Sequence, residues 1–217
     1  MNEIRTEGPQ DANSHLVLAH GAGAPMTSPF LETVTRLLVE RGLRVSRFEF
    51  PYMAARREGG KRRPPPRAEL LVTSYQQVVV TLRTALPPGQ ALLIGGKSMG
   101  GRVASLIADE LYAEGRIAGL VCLGYPFHPT GKPDRLRTAH LERLRCPALI
   151  VQGERDPFGT RAEVETYKLS PSIAFHWAAD GDHDLGPRGG SGFTRAGNLA
   201  AAADAVSAFA RELTPAE

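Results

Sequence analysis

Short apolar runs recur along the chain with helix-spaced stretches between them, and this alternation constrains the fold more than any other feature. The runs span residues 15–19, 44–50, 91–94, 119–123, 148–152 and 173–178 and read as fully buried strands. Helical spacing fills most of the gaps. In 30–42, Phe30, Val34, Leu37, Leu38 and Arg41 share one side and Gly42 provides a stop. Residues 70–86 end at Pro87-Pro88, 99–114 close at Gly115, 161–169 form a shorter helix, and the Ala-rich stretch 198–213 a terminal one. Strands apolar on both faces, alternating with helices, require a parallel sheet covered on both sides. The pattern predicts an α/β three-layer sandwich on a mostly parallel sheet of about six strands. With 217 residues and neither an internal repeat nor a linker, residues 1–217 are expected to form a single domain.

Composition removes several classes. The 26 Lys and Arg against 23 Asp and Glu leave a net charge of +3, too weak for a nucleic-acid footprint without clustering. The main cluster holds Arg56, Arg57, Lys61, Arg62, Arg63 and Arg67, interrupted by Glu58 and Glu69 and by glycines and prolines. No aromatic stands among these basic residues to stack a base. The segment reads as a solvated loop or as one that attracts an anionic ligand. Two cysteines, Cys122 and Cys146, cannot make a disulfide scaffold. The first 14 residues lack a signal-peptide pattern, and no apolar run approaches a membrane span of about 18 residues. A soluble, cytoplasmic chain is expected, with neither nucleic acid nor membrane as partner.

In sheets of this kind binding sites lie beyond the carboxyl ends of the strands. After Ile94 the chain reads Gly95-Gly96-Lys97-Ser98-Met99-Gly100-Gly101. Gly96-x-Ser98-x-Gly100 has the form of a nucleophile elbow, a tight strand-to-helix turn that exposes a serine. Composition alone would produce the pentapeptide about 0.1 times in this chain, so its place between a strand and a helix carries the weight. The competing reading is a Gly-rich turn that only allows close packing or binds an anion at the helix start.

A serine needs a base to take its proton, and the base needs an acid to orient it. Asp156, after the strand 148–152, and His183, in Asp180-Gly181-Asp182-His183-Asp184, stand at strand ends in the order Ser, Asp, His. Glu154 is a second carboxylate in the same loop but lies closer to the strand. An oxyanion requires two backbone donors. Met99, after the serine, supplies one, and His20-Gly21-Ala22-Gly23-Ala24 offers the other, with Ala22 preferred over Gly21 or Gly23.

These residues carry a resemblance. The segments LVLAHGAGAPMTSPF, FEFPYM, IGGKSMGGRVAS, LGYPFHPTGK, LIVQGERDPFG and GDHDL resemble the α/β-hydrolase superfamily, in a small branch without a cap similar to dienelactone hydrolases. They look closest to the group containing testis-expressed protein 30, which also resembles the hydrolase-like region of a chromatin-complex regulatory subunit. The resemblance implies Ser98 as nucleophile, Asp156 as acid, His183 as base and the loop from Gly21 to Gly23 as oxyanion hole. The chain departs from the full superfamily fold: its two leading strands are missing or reduced to the first dozen residues, and no lid fits between Leu123 and Cys146. It also carries a serine where dienelactone hydrolases usually carry a cysteine.

Further candidates are weaker. Tyr52, Met53, Tyr125 and Phe158 are candidates to line an acyl pocket, and His128 to touch substrate. Adjacent Lys97 and Ser98 rarely aim together in a sharp turn, and His15 and His176 read as structural. No ligand set for a metal and no nucleotide-binding glycine loop is present, so no cofactor is expected. The expected activity is serine hydrolysis of a carboxylic ester, thioester or related acyl bond in a small molecule. The alternative is a binding or scaffold module that keeps the fold. Oligomeric state is not encoded in these patterns.

Overall fold

The structure, a computed structural model, describes residues 3–57, 59, 64–87 and 89–214. Seven strands, β1 (Ile4–Glu7), β2 (Ser14–Ala19), β3 (Arg44–Phe48), β4 (Ala91–Lys97), β5 (Gly119–Leu123), β6 (Ala148–Gly153) and β7 (Ile173–Ala178), form one sheet. Their spatial order is β1-β3-β2-β4-β5-β6-β7. Neighbours are parallel except β1, which pairs antiparallel with β3, Ile4 facing Phe48 and Glu7 facing Val45.

Two-residue periodicity explains why both faces are covered. On β4, Leu92 and Ile94 enter one core while Ala91 and Leu93 enter the other; on β6, Ala148 and Ile150 oppose Leu149 and Val151. The first core is capped by α3 (Val72–Ala85) and α4 (Met99–Ala113), the second by α1 (Pro29–Val39) and α6 (Arg195–Glu212). Two short helices, α2 (Pro51–Arg57) and α5 (Arg161–Val164), follow β3 and β6.

Local chemistry sets the ends. Ser28 caps α1 by accepting from Leu31 N–H at 3.5 Å, and Pro29 takes the first helical turn, where its missing N–H is harmless. Thr160 and Glu163 form a reciprocal capping box on α5, and Thr194 caps α6 through Gly197 N–H at 3.0 Å. The buried Tyr75 hydroxyl is satisfied by the sheet backbone: it accepts Gly95 N–H at 2.9 Å and lies 2.6 Å from Gly95 O.

The three-layer α/β sandwich follows the expected pattern, with local differences. The additional strand β1 has a mostly exposed, polar sequence, and an edge strand that packs one face at most carries no apolar run. Strand β7, read as fully buried, is the opposite edge, and Ala174 is exposed there. The run 44–50 leaves the sheet at Phe48, and Pro51 opens α2 instead. The helix over 70–86 begins as a 3-10 turn, Ala68–Leu71. The helix over 161–169 stops after one turn, and α6 starts three residues earlier than its Ala-rich stretch. Cys122 and Cys146 are free and buried. Lys61, Arg62, Arg63 and Glu58 of the basic segment lie outside the described residues. Among the described residues no helix is long and apolar enough to cross a membrane.

Candidate active site

The chain passes from β2 to β3 on one side and returns to β4 on the other, so the carboxyl ends of β2 and β4 border a crevice at a topological switch point. Ser98 stands there, at the junction of β4 and α4. Its backbone lies at φ 52, ψ −114, and its N–H donates to Leu123 O at 2.9 Å. A non-glycine residue in this region is strained, and the surrounding turn must hold it. The flanking glycines make the turn possible by close approach. A Cβ on Gly96 would stand 2.5 Å from Ala19 O, and one on Gly100 would stand 2.6 Å from His20 O. Both carbonyls belong to the strand end that leads into the Gly21 loop, so the two halves of the site are pressed backbone to backbone.

His183 lies in the loop after β7. Its Nδ1 is 2.7 Å from Asp156 Oδ2, and Asp156 is wholly buried. The same carboxylate accepts Phe158 N–H at 2.9 Å on Oδ1 and the Gln152 amide at 3.0 Å on Oδ2. Three donors fix the carboxylate in place. Because a carboxylate only accepts, Nδ1 carries a proton, and in the neutral ring Nε2 is then the nitrogen with the lone pair. The Phe158 ring packs 4.5 Å from the imidazole. Glu154, the other carboxylate of this loop, turns away to Arg161 at 3.1 Å and Asp180 N–H at 2.9 Å.

The histidine loop is braced from several directions. Asp182 Oδ1 accepts the N–H groups of Asp184 and Gly186 at 2.9 and 2.8 Å, and Asn198 of α6 donates to Leu185 O at 2.8 Å. Lys97, buried beside Ser98, reaches past the serine: its Nζ donates to His183 O at 2.7 Å and pairs with Asp184 at 3.2 Å. Burial holds the Lys97 ammonium below its usual pKa, against the pull of Asp184.

Two cavities meet at Ala22, Ser98 and Phe158. One, of about 470 Å³, continues past Gly21, Gly23, Phe30, Lys97, His183 and Asp184. The other, of about 590 Å³, continues past Met99, Pro126, Arg102 and Arg137. Ser98 and His183 thus face one space; among the described residues Oγ and the imidazole are not hydrogen-bonded to each other. In enzyme sites that contact commonly tightens only once substrate is bound. Met99 opens α4, where first-turn N–H groups lack helical partners.

Of the sequence-derived candidates, Gly21, Ala22, Gly23, Ser98, Met99, Phe158 and His183 border these cavities, with Asp156 directly behind His183. Met53, Tyr125 and His128 do not. Met53 packs in the interior, Tyr125 is buried with its hydroxyl on Arg137 O at 2.9 Å, and His128 is buried with Nδ1 3.0 Å from Pro129 O. Tyr52 borders neither cavity and instead donates to Ala22 O at 3.0 Å. Sequence reasoning did not single out Gln152, which also accepts Tyr125 N–H at 2.7 Å, or His20, fully buried beneath the Gly21 loop. A polar residue inside an otherwise apolar strand was the available signal for Gln152, and a histidine at a strand end for His20.

Solved structures of the same fold are numerous. An α/β serine hydrolase homologue from Coxiella burnetii superimposes with a TM-score of 0.70 at 18% identity, over 98% of this chain and 92% of that one. A lidless α/β serine hydrolase from Xanthomonas campestris gives 0.69 at 17%, over 100% and 91%. Dienelactone hydrolase from Anabaena variabilis gives 0.73 at 20%, over 99% and 93%. At these identities the likeness establishes the fold alone. Residues 12–211 match the alpha/beta hydrolase domain family, a span that includes every strand from β2 to β7 and all the residues around Ser98, and the chain is a member of that family.

Proposed function

We propose that the chain is a serine hydrolase that cleaves a carboxylic ester, thioester or related acyl bond through an acyl-enzyme. The observation that carries this reading is the convergence at one cavity of a strained, half-buried Ser98 that borders it and a His183 whose Nδ1 is held at 2.7 Å by buried Asp156. In this reading Ser98 Oγ attacks the carbonyl carbon as His183 Nε2 takes its proton. The tetrahedral oxyanion is received by the N–H groups of Met99 and Ala22, each donor contributing roughly 2.7–4 kcal/mol to the transition state. The His183 proton then goes to the departing oxygen or sulfur, and the carbonyl re-forms on Ser98. Water, deprotonated by His183, attacks the acyl-enzyme and releases the acid and the serine hydroxyl. Asp156 holds the imidazole tautomer and offsets its positive charge.

A lidless site, as the Xanthomonas campestris structure is described to have, would favour small or protruding acyl compounds. A serine-reactive fluorophosphonate tests the reading directly. Wild-type protein is expected to be labelled and Ser98→Ala and His183→Ala are not. Failure to label a well-folded wild type would favour a binding module that keeps the fold.

A further inference from the structure

The larger of the two cavities at Ser98 carries an unbalanced charge. Arg67, Arg102 and Arg137 line it, with Glu69 as the one acidic side chain on its wall. Arg102 is engaged: its Nη2 donates to Glu69 at 2.6 Å, its side chain is 18% exposed, and its buried Nε lacks an acceptor. Arg137 is different. Its backbone is pinned, N–H to Phe127 O at 2.7 Å and carbonyl to the Tyr125 hydroxyl at 2.9 Å, while among the described residues no carboxylate stands within salt-bridge distance of its guanidinium and Glu69 acts on it only from further off. Partial burial and then the neighbouring Arg102 charge lower its pKa, against smaller opposing pulls from Tyr125 and Glu69.

Among the described residues Glu69, already paired with Arg102, is the one carboxylate set against the three arginines of this wall. Arg102 sits in the first turn of α4, where the helix dipole already favours anions, and that turn contains no acidic residue. Two guanidiniums held near each other at the positive end of a helix repel, and a structural role for the head group of Arg137 is not visible in its contacts. A planar anion bound between them would relieve the repulsion and match the forked geometry of guanidinium groups.

The two cavities also differ in what borders them. His183, which returns its proton to the departing atom, borders the smaller cavity, so the leaving group belongs there. The acyl chain then extends into the arginine-lined cavity. We propose that this acyl chain carries a carboxylate, received by Arg137 with Arg102 beside it, so that the substrates are half-esters or half-thioesters of dicarboxylic acids. The orientation rests on the hydrolase reading; the anion site rests on the arginines alone.

Binding to Ser98→Ala protein tests this without any turnover. Calorimetric titration would compare monomethyl glutarate, an anion at neutral pH, with uncharged dimethyl glutarate, and repeat the pair for succinate and adipate. The anion is expected to bind about 10-fold more tightly or better for at least one chain length. Arg137→Gln in the same background is expected to collapse that ratio towards one, and Glu69→Gln, which frees Arg102, to raise it. Equal binding of the two esters, no binding of either, or a preference that survives Arg137→Gln would overturn the proposal. If Arg137→Gln does not fold, an unchanged ratio in Glu69→Gln overturns it instead. Should the wild type fail to label with fluorophosphonate while the anion preference holds, the hydrolase reading falls and the anion site stands.

Discussion

The Tyr52 hydroxyl donates to Ala22 O at 3.0 Å, and through that bond the loop beyond β2 is tied to helix α2. His20 makes a second tie. Its Nε2 accepts Phe50 N–H at 3.1 Å, which places the proton on Nδ1, 2.6 Å from Gly21 O. Both side chains hold the backbone that presents Ala22 N–H without bordering the cavity through their own polar atoms. Tyr52→Phe removes one tie and leaves the ring. We expect a stability loss of about 1 kcal/mol. The fluorophosphonate labelling rate should fall about 10-fold, because a displaced oxyanion donor weakens transition-state binding. Stopped-time labelling and urea unfolding measure the two effects, and an unchanged labelling rate would show that Ala22 N–H is not part of the oxyanion hole.

Ser98 stores strain that a glycine would not. At φ 52, ψ −114 a side chain is disfavoured by roughly 1–3 kcal/mol, whereas glycine adopts the conformation freely. Ser98→Gly also adds chain entropy to the unfolded state, which offsets roughly 0.4–1 kcal/mol. The net expectation is that Ser98→Gly is more stable than Ser98→Ala by about 1 kcal/mol. Denaturant midpoints of the two variants decide it. Equal midpoints would mean that the elbow is not strained.

The sheet was legible because its strands bury both faces, and a run such as 148–152 has no other use in a chain of this length. The elbow was legible for a related reason: Gly96 and Gly100 have no room for a Cβ, so their spacing around Ser98 is a steric record. What escaped was set by the third dimension. Tyr125 follows a strand end as Ser98 does, yet it points into the interior because its hydroxyl finds Arg137 O there. Arg102 and Arg137 lie far apart in sequence, and their meeting at one cavity depends on how the β5–β6 connection crosses the start of α4. Edge strand β1 was invisible because an edge has little apolar surface to conceal.

Asp156 is expected to act through the imidazole alone. Asp156→Asn keeps the volume and the Phe158 N–H bond on Oδ1, but an amide nitrogen in the place of Oδ2 gives up the Gln152 bond, presents a donor to Nδ1 and shifts the proton to Nε2. A histidine in that tautomer cannot accept from Ser98, so labelling should drop about 10³–10⁴-fold with the fold intact. A comparison of labelling rates at matched circular dichroism checks this. Retention of most of the rate would exclude Asp156 as the orienting acid.

Acid should destabilise the protein through its buried histidines. Burial lowers His15, His20 and His140 from 6.5 to about 4. Between those values the unfolded chain binds protons that the folded chain refuses, so stability rises with pH through this window and is level above it. Read downward, the contribution of neutral histidine is complete above pH 6.5 and is lost as the pH falls towards 4. Over the whole window each group contributes on the order of 3 kcal/mol. Asp180, lowered from 3.8 to about 2 mainly by its hydrogen bonds with Arg188, loses its contribution only below that window. Urea midpoints at pH 7 and pH 5 are expected to differ clearly. His140→Gln, which can still bond Ser105 but takes up no proton, should reduce the difference by roughly a third if the three groups contribute equally. A midpoint that stays constant from pH 7 to 4.5 would mean that these imidazoles are hydrated and protonate freely in the folded chain.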